Sequence, residues 1–291
     1  MTLKQLIYKR LKSRSDLTGK LATYAGSAAI FDTEAPEDQQ DGWDEKQYPR
    51  CDYIIDMQAN EERSSVGTLA VTVYTERTSM IILALTAAIK DAFRDILLLP
   101  DDGGPYSFAW ANTNGFTIPG QNIIGQTITF DIVEYPDQQT TDPDPQIALA
   151  KYLKEFYPEC IVLGMDRIGE ITDAADKPIL YVEVTNITKT SWFCMNTIAW
   201  MDCRMTVHLL CPDPSVKQKM CVAIQQKLAN DEQVMMLDNS LMRINGVVYD
   251  GSADYLRNGQ LIINARYGIL KNNFKPHTII HIQSEEVTHG N

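Results

Sequence analysis

Gly67–Ile96, GTLAVTVYTERTSMIILALTAAIKDAFRDI, reads as a strand followed at once by a helix. A looser copy, Met201–Asn230, MDCRMTVHLLCPDPSVKQKMCVAIQQKLAN, begins 134 residues later. A strand feeding straight into a helix, met twice at that interval, points to a tandem pair of α+β units. At 291 residues the chain has room for both, since domains are typically ~100–150 residues and each can bury its own core. The expected fold class is α+β: two similar domains in tandem, each a mostly antiparallel sheet with two packed helices. Residues 1–136 form the first domain, 137–145 a linker, 146–271 the second domain and 272–291 a C-terminal tail.

In the first half, Thr2 and Gln5 stand at the corners of a capping box ahead of a stripe of Leu3, Leu6, Ile7 and Leu11. Leu17–Gly26 is expected to add a second short helical piece, and Ala28–Phe31 a short strand. Asp32–Gln47, DTEAPEDQQDGWDEKQ, has seven acidic residues, one basic residue and no periodicity, so it reads as a loop. Cys51–Met57 is strand-like. Gly67–Thr75 alternates Leu69, Val71 and Val73 against Thr68, Ala70, Thr72 and Tyr74. Thr78 or Ser79 is placed to cap the next helix, whose N-terminal half is expected to be its more deeply buried end. Two strands follow, Tyr106–Ala111 and Gln126–Tyr135.

Pro136–Pro145 carries three prolines, which disfavour regular structure. Asp144 and Pro145 then suit an N-cap and first helical position. The elements repeat: a helix, strands at Ile161–Leu163, Ile179–Val184 and Arg204–Leu210, a helix opened by Asp213 and Pro214, and strands at Arg243–Tyr249 and Gln260–Tyr267. Asn114-Gly115 and Asn245-Gly246 lie at similar places before the last strand of each half. Two unrelated α+β domains are the alternative to duplication.

Charge and cysteines narrow the function. A net charge of −12 repels phosphates and anionic membranes. The six cysteines make no CxxC pair, and several lie in apolar runs as small buried residues do. Cys203 and Cys211 fall on one strand face and His208 on the other, so they form no metal triad. Asp101-Asp102-Gly103-Gly104 lacks the lysine of a phosphate loop and the glutamate of a calcium loop. No catalytic, cofactor or metal motif is present, and no enzyme is expected. The N-terminus has no signal-peptide core, and no apolar run nears the ~20 residues that span a bilayer; the chain is expected to stay inside the cell, with no membrane partner.

Exposed aromatic and methionine side chains on loops favour protein contacts. Trp43, with Tyr48 just beyond the acidic loop, is one such candidate; a tryptophan folded back over its own loop is the other reading. Asn186–Met201, NITKTSWFCMNTIAWM, supplies Trp192, Phe193, Met195 and Trp200. A strand extension packed on its own domain is the alternative there. The tail Lys271–Asn291 is expected either to add to a neighbour's sheet edge or to be loose.

The order of elements carries a resemblance. An N-terminal helix, AIFDTEAPEDQQ, YPRCDYIIDM, GTLAVTVYTE, a helix directly behind it and a final strand pair resemble the tail terminator, or tail-completion, proteins of long-tailed bacteriophages. The second half keeps PILYVEV and RMTVHLL but lacks the long acidic loop, and a duplicated domain departs from the usual single-domain member. The resemblance implies a virion protein, assembled in the host cytoplasm, whose ring caps the tail tube, ends tail growth and joins the head connector. Its partners would be copies of itself, the tube protein and a connector or neck protein, with DNA passing through the lumen without specific binding. Six chains, or three with pseudo-sixfold symmetry, would close the ring. A different neck or baseplate adaptor, or a small-molecule enzyme, are the other classes left open.

Overall fold

The computed structural model describes all residues except 78–79, 102, 137–139, 167–176, 191–196 and 272–291. The chain opens with α1 (Leu3–Lys12), where the Thr2 hydroxyl accepts from Gln5 N at 3.4 Å and the Gln5 side chain accepts from Thr2 N at 3.1 Å. Both arms of the capping box are therefore made. Ile7 and Leu11 turn this helix toward the core. A one-turn helix, α2 (Ser15–Thr18), and a small hairpin of β1 (Thr23–Tyr24) and β2 (Ser27–Ala28) follow.

The first sheet consists of β3 (Ile30–Asp32), β4 (Arg50–Asp56), β5 (Gly67–Glu76), β6 (Tyr106–Thr117) and β7 (Ile123–Glu134) in the order β3-β4-β5-β7-β6. Only β3 and β4 run parallel. The expected alternation of β5 holds: Leu69, Val71 and Val73 are fully buried. They meet α3 (Ile82–Phe93) through Leu85, Ile89 and Phe93. Its deeper end is the C-terminal one, contrary to expectation. Leu83 and Met80 point to solvent, while the chain beyond Phe93 stays buried from Asp95 to Leu98. The caps expected at Thr78 or Ser79 lie outside the described residues.

In the second half α4 (Pro145–Phe156) starts at Asp144, whose carboxylate accepts from Gln146 N and Ile147 N at 2.9 Å each. Asp213 caps α5 (Pro214–Asp231) in the same way. The sheet holds β8 (Ile161–Val162), β9 (Ile179–Lys189), β10 (Ile198–Leu210), β11 (Gln233–Met235), β12 (Leu241–Tyr249) and β13 (Leu261–Leu270), ordered β11-β12-β13-β10-β9-β8. Again only the short first strand, β8, pairs in parallel. Leaving out β11, the two sheets share one order: short strand, second, third, last, penultimate. Both halves are α+β, with helices on one sheet face; the other face is partly covered, in the second sheet by residues of the first half.

Several strands outrun expectation. β6 continues to Thr117 and β9 to Lys189, and β10 begins at Ile198, so both ends of Asn186–Met201 are strand, as the strand-extension alternative had it, with 191–196 outside the described residues. Asn114-Gly115 and Asn245-Gly246 lie within β6 and β12, each the strand before the last of its half. A register shift lies between Trp110 and Asn112 in β6, and another between Ile244 and Gly246 in β12. An extra residue there breaks the alternation that sequence reasoning relies on.

Candidate interaction surfaces

The halves meet along a third apolar cluster. Leu97, Ala109, Val133 and Tyr135 of the first half pack against Ile161, Leu163, Ile179, Tyr181, Leu210 and Leu256 of the second. The Tyr135 and Tyr181 rings lie 5.0 Å apart, each 5.7 Å from His208. His208 donates through Nδ1 to the Tyr255 carbonyl at 2.8 Å, and Tyr135 donates to the Leu256 carbonyl at 3.0 Å. Burial pushes the Tyr135 phenol well above its ordinary range.

Two buried carboxylates fasten this seam. Asp95 leaves α3 in a left-handed turn (φ 51°) and receives Lys217 Nζ at 2.8 Å and the Tyr255 hydroxyl; its side chain is 1% exposed. The Lys217 ammonium also lies 3.6 Å over the Tyr255 ring. Asp131 on β7, 2% exposed, takes Arg63 at 2.8 Å from the β4–β5 connection and Arg257 at 2.6 Å from the β12–β13 connection. Arg257 also donates to the Arg63 carbonyl at 2.6 Å. Removing one partner of such a pair strands a charge away from water, a loss of about 3–5 kcal/mol. This seam is invisible in the sequence, because its charged residues are single and lie far from their partners, Lys217 122 positions from Asp95 and Arg257 126 from Asp131.

At the far end of the second sheet the exposed face carries an apolar row beside the charged residues Asp202, Arg243 and Arg266. Trp200 on β10 lies across from Gly268 on β13. A Cβ on Gly268 would stand 2.9 Å from Ile198 and 3.5 Å from the Trp200 ring, so glycine leaves the ring its place. Around it Leu241 and Met235 are exposed, and Leu270 is 75% exposed. Trp200 and Leu241 separate two open hollows of about 610 and 760 Å³, the first edged by Arg243 and Arg266, the second by Leu270 and Pro143. Arg266 is held by Asp202 at 2.7 Å, which keeps that carboxyl below its ordinary range. Sequence reasoning named Trp200 but not Leu241, Met235 or Leu270, which the strand pairing brings to it. Trp192, Phe193 and Met195 lie outside the described residues.

Trp43 has its ring enclosed by its own loop. Tyr24 and Phe31 meet it edge-on at 5.0 and 5.7 Å, and its Nε1 donates to the Glu37 carbonyl at 3.1 Å. The Arg50 guanidinium lies over Trp43 at 5.6 Å, Tyr48 at 4.6 Å and Tyr74 at 5.8 Å, and pairs with Asp38 at 2.6 Å. Tyr48 donates to the same Asp38 at 3.0 Å. The loop therefore turns its aromatics inward and leaves Glu34, Glu37, Asp41, Asp44 and Glu45 exposed. Beside it Asp52 is buried, which pushes its carboxyl up to about 6 even though Tyr74 and Thr72 donate to it.

Among the described residues no three His, Cys, Asp or Glu side chains gather at metal-holding distance. The five described cysteines are buried and free, and burial raises the thiols of Cys203 and Cys221 to about 11. No helix among the described residues is long and apolar enough to cross a membrane.

No family model matches the chain, and no curated protein matches it. Among solved structures, a chain of the virion of a native gene transfer agent particle is similar over 46% of this chain and 96% of that one, at 16% identity and a TM-score of 0.35.

Proposed function

We propose that the chain is a structural virion protein that forms a ring on the tail tube, ends tail growth and joins the tail to the head connector. The observation that carries this is the shared architecture of the halves. Each has a leading helix, a short parallel strand, a two-stranded arm, a helix straight behind it and a final strand pair. That is the layout on which the resemblance to tail terminators rests. The exposed cluster around Trp200 supplies contact surface of the kind that marks protein association. The acidic balance suits a lumen that must pass DNA without holding it, and charges act there only over the ~8–10 Å that salt leaves unscreened.

Two arrangements fit: three chains using both halves in a pseudo-sixfold ring, or six chains with first halves in an inner ring and second halves outside. The second is preferred, because the halves present different surfaces. The test is electron microscopy of tail tubes incubated with the purified chain. A ring on one end of each tube, with tubes no longer able to elongate, is the expected result. Tubes that stay bare and keep elongating would overturn the assignment.

A further inference from the structure

The chain is acidic as a whole, yet its first twenty residues are basic. They hold six basic side chains and one acidic, a net of +5, so the remaining 271 residues carry −17. Lys4, Lys9 and Lys12 stand on one face of α1 with Tyr8 between them, and with Tyr53 they line an open groove of about 840 Å³. Arg10 is used inside the fold, donating to the Ala92 carbonyl at 2.7 Å, and Arg14 pairs with Asp16 at 2.8 Å. Lys4 reaches Asp32 at 2.5 Å. Lys9 and Lys12 have no ion pair among the described residues.

The most acidic stretch, Asp32–Gln47, has seven acidic residues and one basic, a net of −6. Apart from Asp32, which pairs with Lys4 on the α1 side, this stretch lies on the other side of the same sheet. Ile7 and Leu11 put α1 on the helix-covered face, in one cluster with Val71 and Val73. The loop instead packs through Trp43 on Phe31, and through Arg50 on Tyr74, which alternates with buried Val73 and so points to the open face. One domain thus carries a positive surface on one side and a negative surface on the other. Two copies related by a two-fold axis would bring like surfaces of this kind together less readily than two copies stacked in sequence. Head-to-tail contacts of complementary patches generate rings when the rotation closes.

We propose that the Lys9–Lys12 face of α1 docks on the acidic loop of the next copy of this chain, at Glu37, Asp41 and their exposed neighbours, and that this contact closes the ring. The proposal rests on the ring reading above and names its contact. Both surfaces belong to the first half. The corresponding helix of the second half, α4, offers only Lys151 and Lys154 beside Glu155, so the first halves form the inner ring. Charge complementarity of this kind sets orientation and speeds encounter.

The test uses two full-length variants, Lys9→Glu/Lys12→Glu and Glu37→Lys/Asp41→Lys, all at exposed positions. Each alone is expected to weaken self-association by about tenfold or more, as is raising salt to about 0.5 M for the native chain. Mixed at equal amounts, the two variants are expected to assemble again, because reversed helix meets reversed loop and native helix meets native loop in alternation. Native mass spectrometry would show alternating rings with both chains in equal number. That recovery also shows that both variants are folded. Rings that form equally well from either variant alone would overturn this contact while leaving the ring intact. Helix variants that keep the ring but lose retention on duplex DNA would make α1 a nucleic-acid surface and overturn it as well. A native chain that never associates would remove the ring reading itself.

Discussion

The two halves use one strand order and cover its equivalent positions in different ways. Counted from the short parallel strand, Asp52 and Thr72 in the first sheet occupy the place of Tyr181 and His208 in the second. In the first half that place is roofed by Arg50, Tyr74 and the acidic loop, and the surface left over is charged. In the second it is covered by the first half, and the surface left over, at the other end of the sheet, is apolar around Trp200. A shared backbone plan therefore fixes where a surface lies but not what it binds. Charged patches steer and orient a partner, whereas aromatic anchors in hollows hold one. Under the proposed ring, the first half would make the contacts between copies and the second would meet a different protein.

The sharpest way to break this comparison is to empty each core in turn. Phe130→Ala and Met205→Ala, both in fully buried positions, are expected to cost about 3–5 and about 2–5 kcal/mol. Because the seam joins the halves, each should lower a single unfolding transition in a denaturant titration; two separated transitions would show that the halves unfold independently. Asp95→Asn comes next. Asparagine tolerates the left-handed turn, but Lys217 loses its charge partner, and a loss of about 3 kcal/mol is expected by the same titration. An unchanged midpoint would show that the seam is apolar in its energetics.

Asp52 sharpens the contrast through pH. Its folded-state pKa of about 6 lies above the ordinary 3.8, so the folded chain holds that proton more tightly than the unfolded one. Stability from this group is full below pH 4 and is lost as pH rises through 6. Asp52→Asn removes the dependence and should raise stability by about 3 kcal/mol above pH 7, with almost no gain at pH 4. A gain that persists at pH 4 would point to a cause other than ionisation. The smallest effect on stability is expected for Trp200→Ser, under about 1 kcal/mol at this open site. Its effect should appear instead as at least tenfold weaker binding to the tail or neck partner, measured with virion extracts depleted of the native chain. Full binding would exclude this surface.

Much of this plan is legible in the residues. The caps at Thr2, Asp144 and Asp213, the alternation in Gly67–Thr75 and the repeated strand-to-helix step all express local rules, and the fold obeys them. The strand lengths are not legible. Past Trp110 on β6 and past Val184 on β9 most side chains on both faces meet solvent, so no apolar alternation marks them, and the register shifts in β6 and β12 erase what pattern there is. The seam is hidden for another reason: Asp131, Arg63 and Arg257 are ordinary surface residue types until the fold brings them together. Trp43 shows the reverse. Its aromatic character is plain in the sequence, but whether it faces a partner or its own loop depends on Tyr24, Phe31 and Arg50 closing around it.

The most direct test of the central claim is the native mass of the purified full chain over a range of concentrations, with and without isolated tail tubes. Three or six chains, alone or only on tubes, is the predicted result, and six would assign the inner ring to the first halves. A monomer or dimer at every concentration that leaves tubes unaltered would contradict the account.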